Sequence, residues 1–135
     1  MIKNLKFTTD KLIETRKKIG LIVLASDYTI DHEFRAIFPV NGTDYFYARI
    51  ENSPIITPES LSDMGSKIST TLKLILPGDK LDVVAYACTS ATVVLGEEAI
   101  TKSIRAVHPE ADWTTPITAA FEAFDSFRAK NIAVL

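Results

Sequence analysis

Strand and helix patterns alternate along this chain, which predicts an α/β domain: an open parallel sheet with helices on both faces, a flavodoxin-like three-layer sandwich. Two observations carry the prediction. The runs "IGLIVLA" (19–25) and "LDVVAYA" (81–87) are short, continuous and rich in β-branched residues, as strands buried on both faces must be. Between and after them lie stretches with helical apolar spacing, two of which open with Thr-Pro. The chain has 135 residues, 47% of them hydrophobic and 24% charged, which suits one compact globular domain able to bury a core.

The first strand, 19–25, leads into "SDYTIDHE" (26–33), where a short helix carrying His32 and Glu33 and ending at Pro39 is expected. "DYFYARI" (44–50) is aromatic-rich, bounded by Asn41-Gly42, and reads as the second strand. From Thr57, followed by Pro58 and Glu59, the residues Leu61, Met64, Ile68, Leu72 and Ile75 recur at helical spacing until Pro77-Gly78, so one long amphipathic helix is expected. The third strand is 81–87. Residues 91–107 and 114–130 read as helices, the second capped by Thr115 before Pro116. Residues 1–130 thus form one α/β domain. "NIAVL" at the end (131–135) looks like the start of a further strand, and "RAKNIAVL" (128–135) echoes "RKKIGLIVL" (16–24) in charge placement and apolar content. The expectation is a first unit followed by the beginning of a second; the alternative is a complete five-stranded domain.

Composition excludes several function classes. A formal charge of -2, a pI near 5.7 and no basic run longer than "RKK" (16–18) give no footprint for nucleic acid. The opening "MIKNLKFTTDKL" has no apolar h-region and no apolar stretch is long enough to span a bilayer, so a cytoplasmic protein without membrane contact is expected. One cysteine forms no internal disulfide, and Cys-x-x-Cys or His-rich metal ligands are missing, so neither metal nor cofactor is expected. No glycine-rich phosphate loop follows any strand. A thiol phosphatase loop is excluded too, because the arginine it needs six residues after its cysteine is Val94 here.

In open α/β sheets ligands bind outside the carboxyl ends of the strands, near the point where strand order reverses. Segments 26–33, 88–92 and 113–116 fall there. Cys88, in "VVAYACTS" (83–90), sits between a buried strand and a helix start, where the helix dipole and free N–H groups favour a thiolate. It is either a nucleophile or a small buried core residue. Thr89 and Ser90 can donate hydroxyl and backbone N–H bonds to a carboxylate or enolate, or can simply cap the helix. Asp27 and Thr29 can reach the same pocket, or serve local turn hydrogen bonds. Glu33 suits the dipole of a first helical turn, and His32 is a candidate general base.

The segments "GLIVLASDYTIDHEFR", "ITPESL", "AYACTSATVVLGEEAI" and "TTPITAAFEAF" resemble, in order and over essentially the whole chain, the aspartate/glutamate racemase superfamily. Within it they are most similar to the branch of maleate cis-trans isomerases, arylmalonate decarboxylases and the related ectoine-utilisation protein. The most specific elements are Cys-Thr-Ser after the third strand and the pattern of Ser26, Asp27, Thr29, Asp31 and Glu33 after the first. The resemblance implies two pseudosymmetric α/β halves with the active site between them, of which this sequence matches the first. It implies Cys88 as the nucleophile or acid/base, Thr89 and Ser90 as ligands of the substrate carboxylate, and Asp27 as a further substrate contact. Maleate isomerases carry asparagine at the Asp27 position, whereas amino-acid racemases carry aspartate. Arylmalonate decarboxylases have glycine in place of Cys88, which argues against decarboxylation.

The expected function is therefore a cofactor-independent isomerase or racemase acting at the carbon next to a carboxylate of a small dicarboxylate, in a homo-oligomer, with these 135 residues inactive alone. The alternative is a non-catalytic small-carboxylate-binding or assembly domain with Cys88 as inert core.

Overall fold

The computed structural model describes residues 6–8, 15–38 and 42–133. Its elements in chain order are β1 (Lys17–Leu24), α1 (Ile30–Ile37), β2 (Thr43–Ile50), α2 (Pro58–Gly65), α3 (Ile68–Leu72), β3 (Val83–Tyr86), α4 (Thr89–Leu95), α5 (Glu97–Arg105), β4 (Asp112–Thr114) and α6 (Pro116–Ser126). The strands form one parallel sheet in the order β2-β1-β3-β4. From β1 the chain steps outward to β2 and then returns to the other side of β1 for β3, so the strand order reverses between β1 and β3. Leu24 pairs with Ile50 and Ile22 with Tyr86, which brings the carboxyl ends of the three strands to one edge of the sheet.

Helices cover both faces, as the alternation of the strands requires. Leu21 and Val23 of β1 point to α1, whose Ile30 and Phe34 pack there with Tyr45 and Tyr47 of β2. Ile22, Ile50, Val84 and Tyr86 point the other way, into a core shared with Met64, Ile68, Leu72, Ile100 and Ile104 from α2, α3 and α5. At the amino ends of the strands, Lys17 pairs with Asp82 at 2.7 Å, Lys18 with Asp79 at 2.9 Å and Arg16 with Asp44 at 2.6 Å.

The α/β class, the parallel sheet and strands one to three agree with the sequence reading to within two residues at each end. Four expected features differ. The long helix from Pro58 to Ile75 is two helices, broken at 66–67, where Ser66 Oγ donates to the Asp63 carbonyl and the Lys67 N–H to Met64. Gly65 stands at the break because α4 packs there: a Cβ would lie 2.7 Å from Leu95 Cδ2. The apolar spacing runs straight through, since Met64, Ile68, Leu72 and Ile75 all enter the same core. The expected helix 91–107 is likewise divided, by Gly96 at φ +77°, a backbone conformation that L side chains rarely adopt.

Residues 112–114 form the short edge strand β4, which takes up Thr114 where the expected helix 114–130 began, and α6 ends at Ser126, short of the expected 130, with Arg128 at φ 51°. Residues 131–133 have no regular structure, and the rest of the expected terminal strand, 134–135, lies outside the described residues, as does Pro39. The Thr-Pro openings hold well. Thr57 accepts from the Ser60 N–H and Thr115 from the Thr118 N–H, each as part of a reciprocal capping box.

Candidate functional site

Cys88 follows β3 at the edge where the carboxyl ends of the strands meet, beside the β1/β3 reversal point. Its backbone is extended (φ -142°, ψ 108°), and it is the N-cap residue of α4. Two bonds fix its carbonyl: Thr92 N–H donates at 3.1 Å and Thr92 Oγ1 at 2.6 Å. The Thr92 N–H bond is the first of the helix, so the N–H groups of Thr89, Ser90 and Ala91 precede it and have no partner within α4. The thiol is free and 8% exposed.

Cys88 and Ser90 line one pocket of about 80 Å³, together with Asn52 and Ser53 after β2 and Ser60 of α2. Leu24, Ile56, Leu61 and Met64 supply its apolar wall. That volume equals roughly three waters at their liquid share of ~30 Å³ each. No side chain lining it is charged. Its floor is a thiol and its rim is hydroxyl and amide. Ser60 is committed to the α2 capping box, accepting from Thr57 N–H at 2.9 Å. Asn52 latches two loops: its side-chain carbonyl accepts from Ser26 N–H at 3.2 Å and its amide donates to Ser26 Oγ at 3.0 Å.

The other sequence candidates stand elsewhere. Thr89 is exposed and does not line the pocket. Asp27 accepts from Thr29 N–H at 2.8 Å and Ile30 N–H at 2.9 Å, which folds its carboxylate onto the start of α1. The Ile30 hydrogen bond is the main reason that its carboxyl lies below the ordinary value, with Thr29 and the Arg49 guanidinium acting the same way. Arg49 in turn donates to the backbone carbonyls of Leu24 at 3.0 Å and Asp27 at 2.5 Å. Thr29 occupies the N-cap position of α1 without a side-chain cap bond. His32 and Glu33 are exposed on α1, against the opposite face of the sheet from α2, and neither lines the pocket.

Asn52, Ser53 and Ser60 were not among the sequence candidates. Asn52 and Ser53 immediately follow a strand, the same position that singled out 26–33 and 88–92, and that rule applied to β2 finds them. A larger hollow of about 290 Å³ adjoins the pocket, sharing Asn52, Ser53, Ser60 and Met64 with it and adding the charged Glu51, Asp63 and Lys67. Two more, of about 400 and 520 Å³, lie at the amino ends of the strands and in the loops leading into β3 and β4. The last two hold no cysteine, and the Lys17–Asp82 and Lys18–Asp79 pairs neutralise part of their lining. His108 lies on the 400 Å³ hollow, its imidazole pushed below the ordinary value by burial. We place the candidate chemistry at Cys88, where a nucleophile, backbone donors and the sheet's reversal point coincide.

Comparison with solved structures bears on the fold. The Nocardia farcinica maleate cis-trans isomerase bound to TRIS superposes with a TM-score of 0.67 at 22% identity, over 83% of this chain and 49% of its own. The chain has the fold of half a maleate isomerase. A cysteine-to-serine mutant of the same Nocardia enzyme, with a covalently bound succinylcysteine intermediate, matches equally well. The maleate isomerase Iso from Pseudomonas putida S16 matches at TM-score 0.65 and 20% identity, over 84% of this chain and 50% of its own. This chain thus spans about half the length of the solved isomerases it matches. No protein-family model and no curated protein matches it.

Proposed function

We propose that this chain is the cysteine-bearing half of a cofactor-independent isomerase or racemase that acts at the carbon next to a carboxylate of a small dicarboxylic acid. The observation that carries the reading is the single thiol set at the sheet's reversal point, in an uncharged pocket, directly before the free N–H groups of α4. The Cys88 thiolate adds to a conjugated carbon–carbon double bond. A carbon–sulfur bond forms, the π electrons move onto the neighbouring carboxylate as an enediolate, and the former double bond becomes free to rotate. Collapse of the enediolate expels the thiolate and restores the double bond in the other geometry, with no net change in protons or electrons. Ser90 and the amides of Thr89 and Ser90 hold the developing charge. The covalent succinylcysteine of the Nocardia isomerase supports thiolate addition as the chemistry to test first.

In this reading Asp27 and Thr89, neither of which lines the pocket, contact a substrate long enough to extend beyond it. The whole enzyme works as an assembly of more than one such domain. A second reading, a non-catalytic carboxylate-binding or assembly domain, draws on the burial of Cys88 and on the capping role of Asp27. Alkylation of the single thiol at neutral pH separates the two. The enzyme reading expects iodoacetamide to label Cys88 and maleate or succinate to slow the labelling in proportion to occupancy. It also expects Cys88→Ser to lose at least ~10²-fold of any isomerase turnover that the assembled protein shows, as removal of a nucleophile does. A thiol that labels at the same rate with and without dicarboxylate, or Cys88→Ser turnover near wild type, would leave the binding-domain reading.

A further inference from the structure

The pocket at Cys88 has room for about three waters and no charge in its lining, so it neither contains a small dicarboxylic acid nor answers its second carboxylate. The rest of such a molecule has to lie beyond it. The adjoining hollow of about 290 Å³ offers that space, bounded in common with the pocket by Asn52, Ser53, Ser60 and Met64. These shared residues are held in place. Asn52 is tied to Ser26 and Ser60 to the Thr57 cap, while Met64 is buried in the core.

Three charged side chains line the hollow: Glu51, Asp63 and Lys67. Among the described residues that line pocket and hollow, Lys67 is the only cation. Its backbone is fixed where α2 gives way to α3: the Lys67 N–H donates to the Met64 carbonyl at 3.0 Å, and the Lys67 carbonyl accepts from the Thr71 N–H at 2.9 Å. Its ammonium donates to Glu51 Oε2 at 2.8 Å, with the lysine side chain 39% exposed and the glutamate 80%. An ion pair so open to water is weak and exchanges its partner readily. Glu51 and Asp63 together outnumber Lys67, so an anion that enters needs the lysine to itself.

We propose that Lys67 determines specificity in the reaction proposed for Cys88: its ammonium exchanges Glu51 for the far carboxylate of the substrate, while the near carboxylate and the reacting carbon lie at the thiol. The inference rests on that reading of Cys88 and adds what it lacks, a partner for the second charge. Glu51 is then a built-in competitor. A dicarboxylate displaces it; a monocarboxylate of the same length, with no second charge, does not.

Dissociation constants of succinate and butyrate, measured by calorimetry on the wild-type chain, Lys67→Gln and Glu51→Gln, test the assignment. The two probes share a four-carbon chain and differ by one carboxylate. Succinate is expected to bind wild type more tightly than butyrate, and Lys67→Gln to weaken succinate about tenfold, as loss of one charge-assisted hydrogen bond does, with butyrate unmoved. Glu51→Gln is expected to tighten succinate about threefold, a gain that a damaged fold does not produce. Equal succinate affinity in wild type and Lys67→Gln overturns the proposal, as does a wild-type chain without preference for succinate over butyrate. So does butyrate weakening alongside succinate, because the change would then be structural, and so does Glu51→Gln binding succinate no more tightly than wild type. Iodoacetamide labelling separates these outcomes from the function itself. Succinate that slows Cys88 labelling equally in wild type and Lys67→Gln keeps the isomerase reading and removes Lys67 from it; a Lys67-dependent succinate preference with unslowed labelling does the reverse.

Discussion

The carboxylate of Asp27 holds the backbone of Thr29 and Ile30 and thereby starts α1. Its folded-state value lies below the ordinary 3.8, so the ionised form is the one the fold prefers. The sign follows directly. The stability that Asp27 contributes is fully present above its unfolded value and is lost as pH falls from about 3.8 through the lower folded value. Asp27→Asn should therefore be less stable than wild type at neutral pH, and the gap should close on acidification through that window; urea denaturation at both ends measures it. A gap independent of pH would mean that the carboxylate's charge plays no part. Cys88 and Ser90 could be found from sequence because a strand end followed by a helix start is visible in residue order. The capping use of Asp27 could not, because turn geometry decides which way a short carboxylate bends. The strand-end rule points to the position of Asn52, but its role as a loop latch is not legible, because that contact is made across 26 positions of chain.

Helices were legible as amphipathic stretches but not as separate bodies. The sequence shows which residues are apolar and at what period, and a core that accepts side chains from two consecutive helices keeps that period across the break. Gly65 and Gly96 are the only local marks of the two interruptions, and a glycine inside a helical pattern is ambiguous until its dihedrals are known. At Gly96 they are decisive. With φ +77° and ψ 155°, the residue occupies a region almost reserved for glycine. Gly96→Ala should destabilise the chain by about 1–3 kcal/mol by chemical denaturation, with an unchanged slope against denaturant. A neutral effect would show that the turn between α4 and α5 can rebuild itself around a normal backbone. The edge strand β4 escaped the sequence reading for a different reason: its three residues, Asp112 to Thr114, are too few to show any period, and only pairing with β3 defines them.

At the scale of the whole molecule, the parallel sheet and its two helical layers were readable from alternation alone, because right-handed crossovers leave few other arrangements. What alternation does not reveal is which apolar residues stay uncovered. Tyr28, Ile55, Ile56 and Val93 are exposed by 90%, 70%, 73% and 68%, and all lie in segments that follow the carboxyl ends of strands; Ile56 also lines the Cys88 pocket. On α6, no residue is buried, and Phe121 and Phe127 are exposed by 61% and 83%. Apolar surface of this kind on so small a domain favours association. We expect the average mass from sedimentation to rise with concentration and Val93→Glu to suppress the rise. A chain that stays strictly monomeric across the accessible range would contradict that expectation.

The pocket around Cys88 draws on three separate stretches of chain, brought together only when β2 and β3 have both aligned with β1. The cysteine's burial is thus a record of correct strand alignment, and the protein carries its own folding clock. A disulfide reagent too bulky for an 80 Å³ hollow reaches the sulfur only when the segments that line it open. Its labelling rate, divided by the rate in the denatured chain, gives the free energy of that opening under native conditions without any introduced probe. A small alkylating agent that labels Cys88 in the closed pocket would report on the chemistry of the same atom, and the ratio of the two rates would separate motion from reactivity at a single sulfur.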